Sequence, residues 1–214
     1  MDRVTRGQDP SRPRRPTLFG PVVMDALVGA PDPAERVEAA HATAEALVRH
    51  GRATGDERET ARLVALTDEH GLDEVAELWA DRPADTLPGA LWRLYALRAG
   101  IRRDPDSHAR AFEAGRRRAP VHEAVAGVAE PPGPQEVTDV ADAVLTGAFS
   151  GDLAVALERA GAFCRVVSTG WAVLADQEVD PERARELTRR ASGLLRTGAQ
   201  FELAASRWRK GSLN

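Results

Sequence analysis

The amino-acid sequence predicts an all-α protein, a bundle of about eight helices that ends in an antiparallel helical hairpin. Near the C-terminus, small and large residues each recur every seven positions, which is typical of a helix that another helix approaches closely. No segment alternates apolar and polar residues for long enough to indicate a strand. The small residues are Ala184, Ala191, Gly198 and Ala205, and the large ones are Leu187, Leu194, Phe201 and Trp208.

The segment before this seam carries a matching one. Its apolar residues again follow helical spacing, and a short turn at 177–181 separates the two segments. A turn of this length favours pairing within one chain, because closing a short loop costs little entropy. We expect Ser150 to cap the first helix of the hairpin and Asp180-Pro181 to open the second. The residues of the first seam are Leu153, Leu157, Ala160, Cys164, Val167, Trp171 and Leu174.

Helix signals also follow each other closely in the first half of the chain. Asp32-Pro33 predicts a helix that begins there and ends at Gly51. A second helix is expected over 56–71 and a short third one over 73–81. Thr86 is the expected cap of a fourth helix, whose apolar side is formed by Leu87, Leu91, Leu94, Leu97 and Ile101.

A fifth helix begins at Asp104-Pro105 and runs to about Arg117, and a sixth is expected over 135–148. Prolines at 131, 132 and 134 mark the best internal boundary. The sequence thus indicates an N-terminal helical part at 17–130 and a C-terminal bundle at 131–214, which we expect to pack as one compact unit. Residues 1–16 are expected to be a flexible basic tail, rich in proline and arginine.

The charge distribution argues against general nucleic-acid binding. The tail holds five arginines and two aspartates, a net charge of +3, which leaves −7 for the rest of a chain whose net charge is −4. Phosphate contacts need clustered cations, so nucleic acid is expected only through the tail. The single cysteine excludes an internal disulfide, and no apolar run is long enough to span a membrane. We therefore expect a cytoplasmic protein.

The sequence contains no constellation that predicts catalysis, a cofactor or a metal. Glu38 and His41 have the Glu-x-x-His spacing of di-iron bundles, but a second such pair is missing. Cys164 lies on an apolar seam, where burial makes a thiol inert. A helix-turn-helix over 57–81 is disfavoured, because its second helix would bring four carboxylates to the phosphates. The protein is therefore expected to be non-enzymatic.

The best candidate for a partner-binding face lies on the fourth helix. Trp92 and Tyr95 flank its apolar side, and Arg98 and Arg102 lie beside them. Aromatic residues next to arginine are typical of protein interfaces and of sites for anionic ligands. The alternative is a core helix whose arginines pair with acidic residues such as Asp104 or Asp106. Arginines 116–118, at the end of the next helix, would extend the patch.

Two strings carry a resemblance to a known family. TLPGALWRLYALRAGIRR at 86–103 and LTGAFSGDLAVALERAGAF at 145–163 resemble a family of uncharacterised all-helical proteins from actinobacteria. The resemblance covers roughly residues 60–205. Some members carry names that link them to RNA polymerase β subunit or thymidine phosphorylase, and neither name fits these residues. The resemblance implies a helical fold and no site residue.

These observations favour a protein-interaction or adaptor module, present as a monomer or homodimer, with a protein partner of unknown identity. The alternative is a binder of a small anionic ligand, or an enzyme, with a pocket between the two helical parts. In that alternative, arginines hold the anion, and Glu38 or His41 supplies acid–base chemistry.

Overall fold

The computed structural model describes residues 32–54, 78–118 and 152–213, together with 135, 138, 139, 141–143 and 148. These residues form helices and turns and contain no strand, which confirms the all-α prediction. The tail at 1–16, the predicted helix at 56–71 and the prolines at 131–134 lie outside the described residues. The helices with described bounds are α1 (Pro33–Thr54), α2 (Leu87–Arg103), α3 (Pro105–Arg116), α4 (Leu153–Gln177) and α5 (Pro181–Arg209). Residues 78–80 and the described part of 135–148 are also helical.

Two predicted helix starts are confirmed by their caps. The Oγ1 of Thr86 accepts a hydrogen bond from the backbone N–H of Gly89 at 3.3 Å. The Oδ1 of Asp104 accepts one from the backbone N–H of Ser107, also at 3.3 Å. Each cap satisfies a backbone donor that has no partner within the helix. In both helices a proline follows within the first two positions, where its missing N–H costs nothing.

Two other predicted boundaries are wrong. The cap of α4 is Asp152 and not Ser150, because the Asp152 carboxylate accepts the hydrogen bond from the N–H of Ala154 at 2.8 Å. Helix α1 continues to Thr54 and does not end at Gly51. A glycine ends a helix when its backbone becomes left-handed. Among the described glycines, only Gly211, just after α5, has a positive φ, of 66°.

The antiparallel pair of α4 and α5 is confirmed. The turn between them holds three residues, and the carboxylate of Asp180 accepts a hydrogen bond from the N–H of Glu182 at 2.9 Å. The small residues of the seam allow a close approach. A Cβ added to Gly198 would lie 3.1 Å from the Cβ of Cys164 and 3.2 Å from the carbonyl oxygen of Gly161.

Helices α3 and α4 cross even more closely. A Cβ added to Gly170 would lie 1.7 Å from the carbonyl oxygen of Ala111, and one added to Gly115 would lie 1.8 Å from that of Val166. No side chain fits at either position, so the two backbones are in direct contact. This crossing joins a helix of the predicted N-terminal part to the first helix of the C-terminal hairpin.

Buried side chains from both predicted parts form two hydrophobic clusters. The first contains residues of α1, α2, α4 and α5, among them Leu91, Leu157 and Phe201. The second surrounds the α3–α4 crossing and includes Ile101 and Val167. The described residues from Ala34 onward accordingly belong to one compact unit. Among the described helices, none combines the length and apolar character needed to cross a membrane.

Candidate functional site

The predicted partner-binding face on α2 is largely internal. Tyr95 is 8 % exposed and Arg98 is 6 % exposed, so neither side chain is open to a partner. The Tyr95 ring lies 6.3 Å from that of the buried Trp79, centroid to centroid. Trp92 is half-buried against the first hydrophobic cluster, and Arg102 is exposed. The four residues therefore share a helix, but only Trp92 and Arg102 contribute to its surface.

The buried arginine of α2 has a structural partner. The Nε of Arg98 donates to the Oδ1 of Asp142 at 2.6 Å, and the guanidinium of Arg102 contacts the other carboxylate oxygen at 3.2 Å. The alternative interpretation of the sequence expected these arginines to pair with Asp104 or Asp106, and in the structure they pair with Asp142. This residue is about forty positions further along the chain, a separation that helical spacing cannot reveal. The pair attaches the described part of 135–148 to α2.

Asp104 instead contacts Arg190 and His108, and both of these residues lie against the ring of Trp171. The sequence placed Trp171 on the apolar seam. Arg190 lies 3.5 Å from the Asp104 carboxylate, with its guanidinium 5.2 Å from the centroid of the Trp171 ring. His108 meets the same ring edge-on at 5.0 Å, and its Nδ1 lies 2.7 Å from the carbonyl oxygen of Asp104. Burial lowers the pKa of His108 below its ordinary value, and the positive charge of Arg190 adds to that effect, while Asp104 opposes it.

An open cleft of about 620 Å³ lies between α3 and the last turns of α4, and we call it the α3–α4 cleft. Its apolar lining consists of Ala109, Ala114, Val173 and Leu174. Its polar lining consists of Asp106, Arg110, Glu113, Arg117, Arg118 and Gln177. The cleft thus combines an apolar floor with a rim that carries three arginines. It lies between a helix of the predicted N-terminal part and one of the C-terminal part.

The rim arginines differ in how they are paired. Arg117 donates from its Nε to Glu113 at 2.9 Å. Arg116, which does not line the cleft, lies 3.3 Å from the other oxygen of the same carboxylate. The side chains of Arg110 and Arg118 are exposed and have no hydrogen-bond or ion-pair partner among the described residues. These two guanidinium groups are therefore available to an anionic ligand.

A second cleft, of about 540 Å³, lies where α3 meets the turn between α4 and α5. It shares Arg110, Leu174 and Gln177 with the α3–α4 cleft. Its other arginines are already paired, since Arg183 lies 3.7 Å from Glu178 and Arg190 contacts two carboxylates. An anion would have to displace these pairs, so the α3–α4 cleft is the better candidate site.

The residues considered for chemistry lie elsewhere. Glu38 and His41 are on α1 and line neither cleft, and the His41 Nδ1 lies 2.8 Å from the carbonyl oxygen of Val37. Cys164 is fully buried, and burial raises the pKa of its thiol, so it is not a nucleophile near neutral pH. Across the part of the chain that the structure describes, no group of three His, Cys, Asp or Glu residues is placed to hold a metal ion.

No protein-family model, curated protein or solved structure matches this chain. The resemblance to an actinobacterial family remains a prediction.

Proposed function

We propose that the protein is a helical interaction module that binds an acidic segment of a partner protein in the α3–α4 cleft. One observation supports this above the others: at the rim of an apolar floor, Arg110 and Arg118 have no side-chain partner among the residues that the structure describes. Guanidinium groups pair with carboxylates in a planar, two-pronged geometry, and the apolar floor adds burial energy. The α2 face supports a partner less well, because Tyr95 and Arg98 are buried.

The openness of the cleft favours a chain segment over a small molecule. Small-molecule sites bury roughly 70–90 % of their ligand, whereas Arg110, Arg117 and Arg118, which line this cleft, are all exposed. An amphipathic helix places its apolar residues in such a groove and its charged residues on the rim. Val173 and Leu174 offer it apolar surface on α4. A small anion held by the same arginines is the alternative ligand.

The test is a titration of a fluorescently labelled, helical peptide of leucine and glutamate, followed by fluorescence anisotropy. We expect Arg110→Glu combined with Arg118→Glu to weaken binding at least about tenfold, because two attractions become repulsions. The matched control is Arg36→Glu with Arg103→Glu, which changes the net charge equally at exposed residues outside the cleft. It should bind like the wild type, apart from a small loss of long-range attraction.

Two results would argue against the proposal. Equal loss of binding in the control pair would mean that the peptide senses only the overall charge of the protein. Failure of the wild type to bind the peptide, together with a saturable thermal stabilisation by inorganic phosphate or citrate, would instead support the small-anion alternative.

A further inference from the structure

The outward face of α5 carries an exposed stripe that reads nearly the same in both directions. Leu195 is 50 % exposed and Leu203 is 48 % exposed, although both are large apolar side chains. Ala199 lies midway between them and is also exposed. Serines stand seven residues before and seven after Ala199, of which Ser192 is exposed and Ser206 is half-buried. Spacings of three, four and seven place all of these residues on one side of the helix. We call this set the α5 stripe: Ser192, Leu195, Ala199, Leu203 and Ser206.

This symmetry makes the stripe complementary to itself. If two copies of α5 cross antiparallel about Ala199, each Leu195 lies opposite Leu203 of the second copy, and each Ser192 opposite Ser206. An interface of this kind uses the same surface on both subunits, as two-fold dimers do. The small side chain of Ala199 at the centre allows the two helices to approach closely. Small residues allow the same close approach within each hairpin, where Gly161 of α4 faces Gly198 of α5.

Charged residues lie on both flanks of the α5 stripe. Arg196 lies three residues before Ala199 and Glu202 three residues after it. At about 100° per residue they lie on opposite flanks of the α5 stripe, so a two-fold crossing does not pair them directly. Arg196 is exposed and has no partner among the described residues. Glu202 keeps an exposed edge while it pairs with Arg165 of its own chain. What favours a second copy is therefore the symmetry of the apolar stripe itself, which is complementary to itself about Ala199.

We propose that the partner of the α5 stripe is a second copy of this chain, which yields a two-fold symmetric dimer. A stripe on a single helix buries less than the roughly 800 Å² per partner of a standard interface. The dimer is therefore weak and is populated only at high protein concentration. The inference does not rest on the proposed function, because the α5 stripe and the α3–α4 cleft share no residue.

Disulfide cross-linking tests the pairing at single-residue precision. The native Cys164 is buried and unreactive, so an introduced cysteine is the only thiol that reacts. At the two-fold axis a residue faces its own copy, and we expect Ala199→Cys to give a covalent dimer with oxidised glutathione as electron acceptor. The matched control is Ser192→Cys, whose copies would lie about 21 Å apart along the helix axis. That distance is far beyond the reach of a disulfide.

Ala199→Cys should form the dimer at least about tenfold faster than Ser192→Cys, and a mixture of Ser192→Cys with Ser206→Cys should give the heterodimer. For the wild type, the mass from light scattering should rise with concentration from 23.0 kDa toward twice that value, and Leu195→Glu should abolish the rise. Equal cross-linking at positions 192 and 199, or a wild type that stays monomeric at millimolar concentration, would overturn the proposal.

Discussion

At the scale of single residues, Asp104 holds three groups in place at the start of α3. Its carboxylate caps the helix at Ser107 and pairs with Arg190, and its carbonyl oxygen lies within hydrogen-bond distance of the His108 ring. Local signals predicted the cap, because an Asp-Pro pair at a helix start is recognisable in the sequence. The link to Arg190 spans 86 positions and depends on how α5 packs. No spacing rule predicts such a contact.

The buried position of His108 leads to a pH dependence of stability. Burial, and to a lesser degree Arg190, lowers the pKa of His108 below that of an unfolded chain, while Asp104 opposes the shift. The unfolded state therefore binds more protons than the folded state when the pH falls through the ordinary histidine pKa of about 6.5. We expect the free energy of unfolding to decrease over that range as the solution becomes more acidic.

The measurement is urea unfolding of the wild type and His108→Gln between about pH 7.5 and 5.5. The difference between the two proteins isolates the contribution of His108, because the carboxylates are common to both. The wild type should lose stability more steeply toward low pH than the variant. Parallel curves would show that His108 is protonated equally in the folded and unfolded states.

At the scale of helices, the α3–α4 crossing depends on two missing side chains. A Cβ at Gly170 would lie 1.7 Å from a backbone oxygen, which cannot move without separating the helices. We expect Gly170→Ala to lower the free energy of unfolding by about 3 kcal/mol, since overpacking a tight contact forces backbone shifts. The same shift should disturb the α3–α4 cleft, so the variant should also bind the acidic peptide less tightly. Denaturant unfolding followed by circular dichroism measures the loss.

Gly193→Ala is the matched control for this variant. Gly193 lies within α5 and has no atom within 4 Å of an added Cβ. Alanine stabilises a helix interior by about 0.5–1 kcal/mol relative to glycine, so this variant should be slightly more stable than the wild type. If both variants lost similar stability, the cause would not be the close contact at Gly170.

The sequence predicts one helix contact and not the other for a physical reason. The seams of α4 and α5 repeat apolar residues such as Leu157 and Phe201 at helical spacing, so their pairing could be predicted. The α3–α4 crossing is made by glycines, which leave no apolar pattern. The predictions of the helix caps differ in a similar way. Thr86 was predicted correctly, whereas Ser150 was not, because two neighbouring polar residues compete and only the chain path decides which oxygen reaches the free N–H.

At the scale of the whole molecule, the two proposed surfaces act on different ligands. The α3–α4 cleft would bind a partner, and the α5 stripe would bind a second copy. A dimer therefore presents two clefts. A partner with two acidic segments would bind the dimer more tightly than the monomer, provided that the linker between its segments spans both clefts. Such a partner would in turn strengthen the weak dimer, because the two equilibria are linked.

The shared hydrophobic clusters predict that the chain from residue 34 onward unfolds as one cooperative unit. Trp79 lies in the predicted N-terminal part, and its ring N–H donates to the carbonyl oxygen of Ala40 on α1 at 3.2 Å. Trp171 lies on α4, within the cluster at the α3–α4 crossing. If both parts unfold together, fluorescence from these tryptophans and far-ultraviolet circular dichroism should give the same midpoint in urea.

The fragment 131–214 supplies the complementary test. It keeps the α4–α5 pair but loses Leu91 and Phe112, so much of the apolar surface of α4, including Phe163, would be exposed to water. Exposing apolar surface costs roughly 25 cal/mol per Å², and we expect the fragment to lose its sharp unfolding transition. A fragment that unfolds as cooperatively as the full chain, or two separate transitions in the full chain, would mean that the predicted boundary at 131–134 divides two independent domains. The shared clusters argue for a single transition, because Leu157 and Val167 each belong to a cluster that also contains residues from before that boundary.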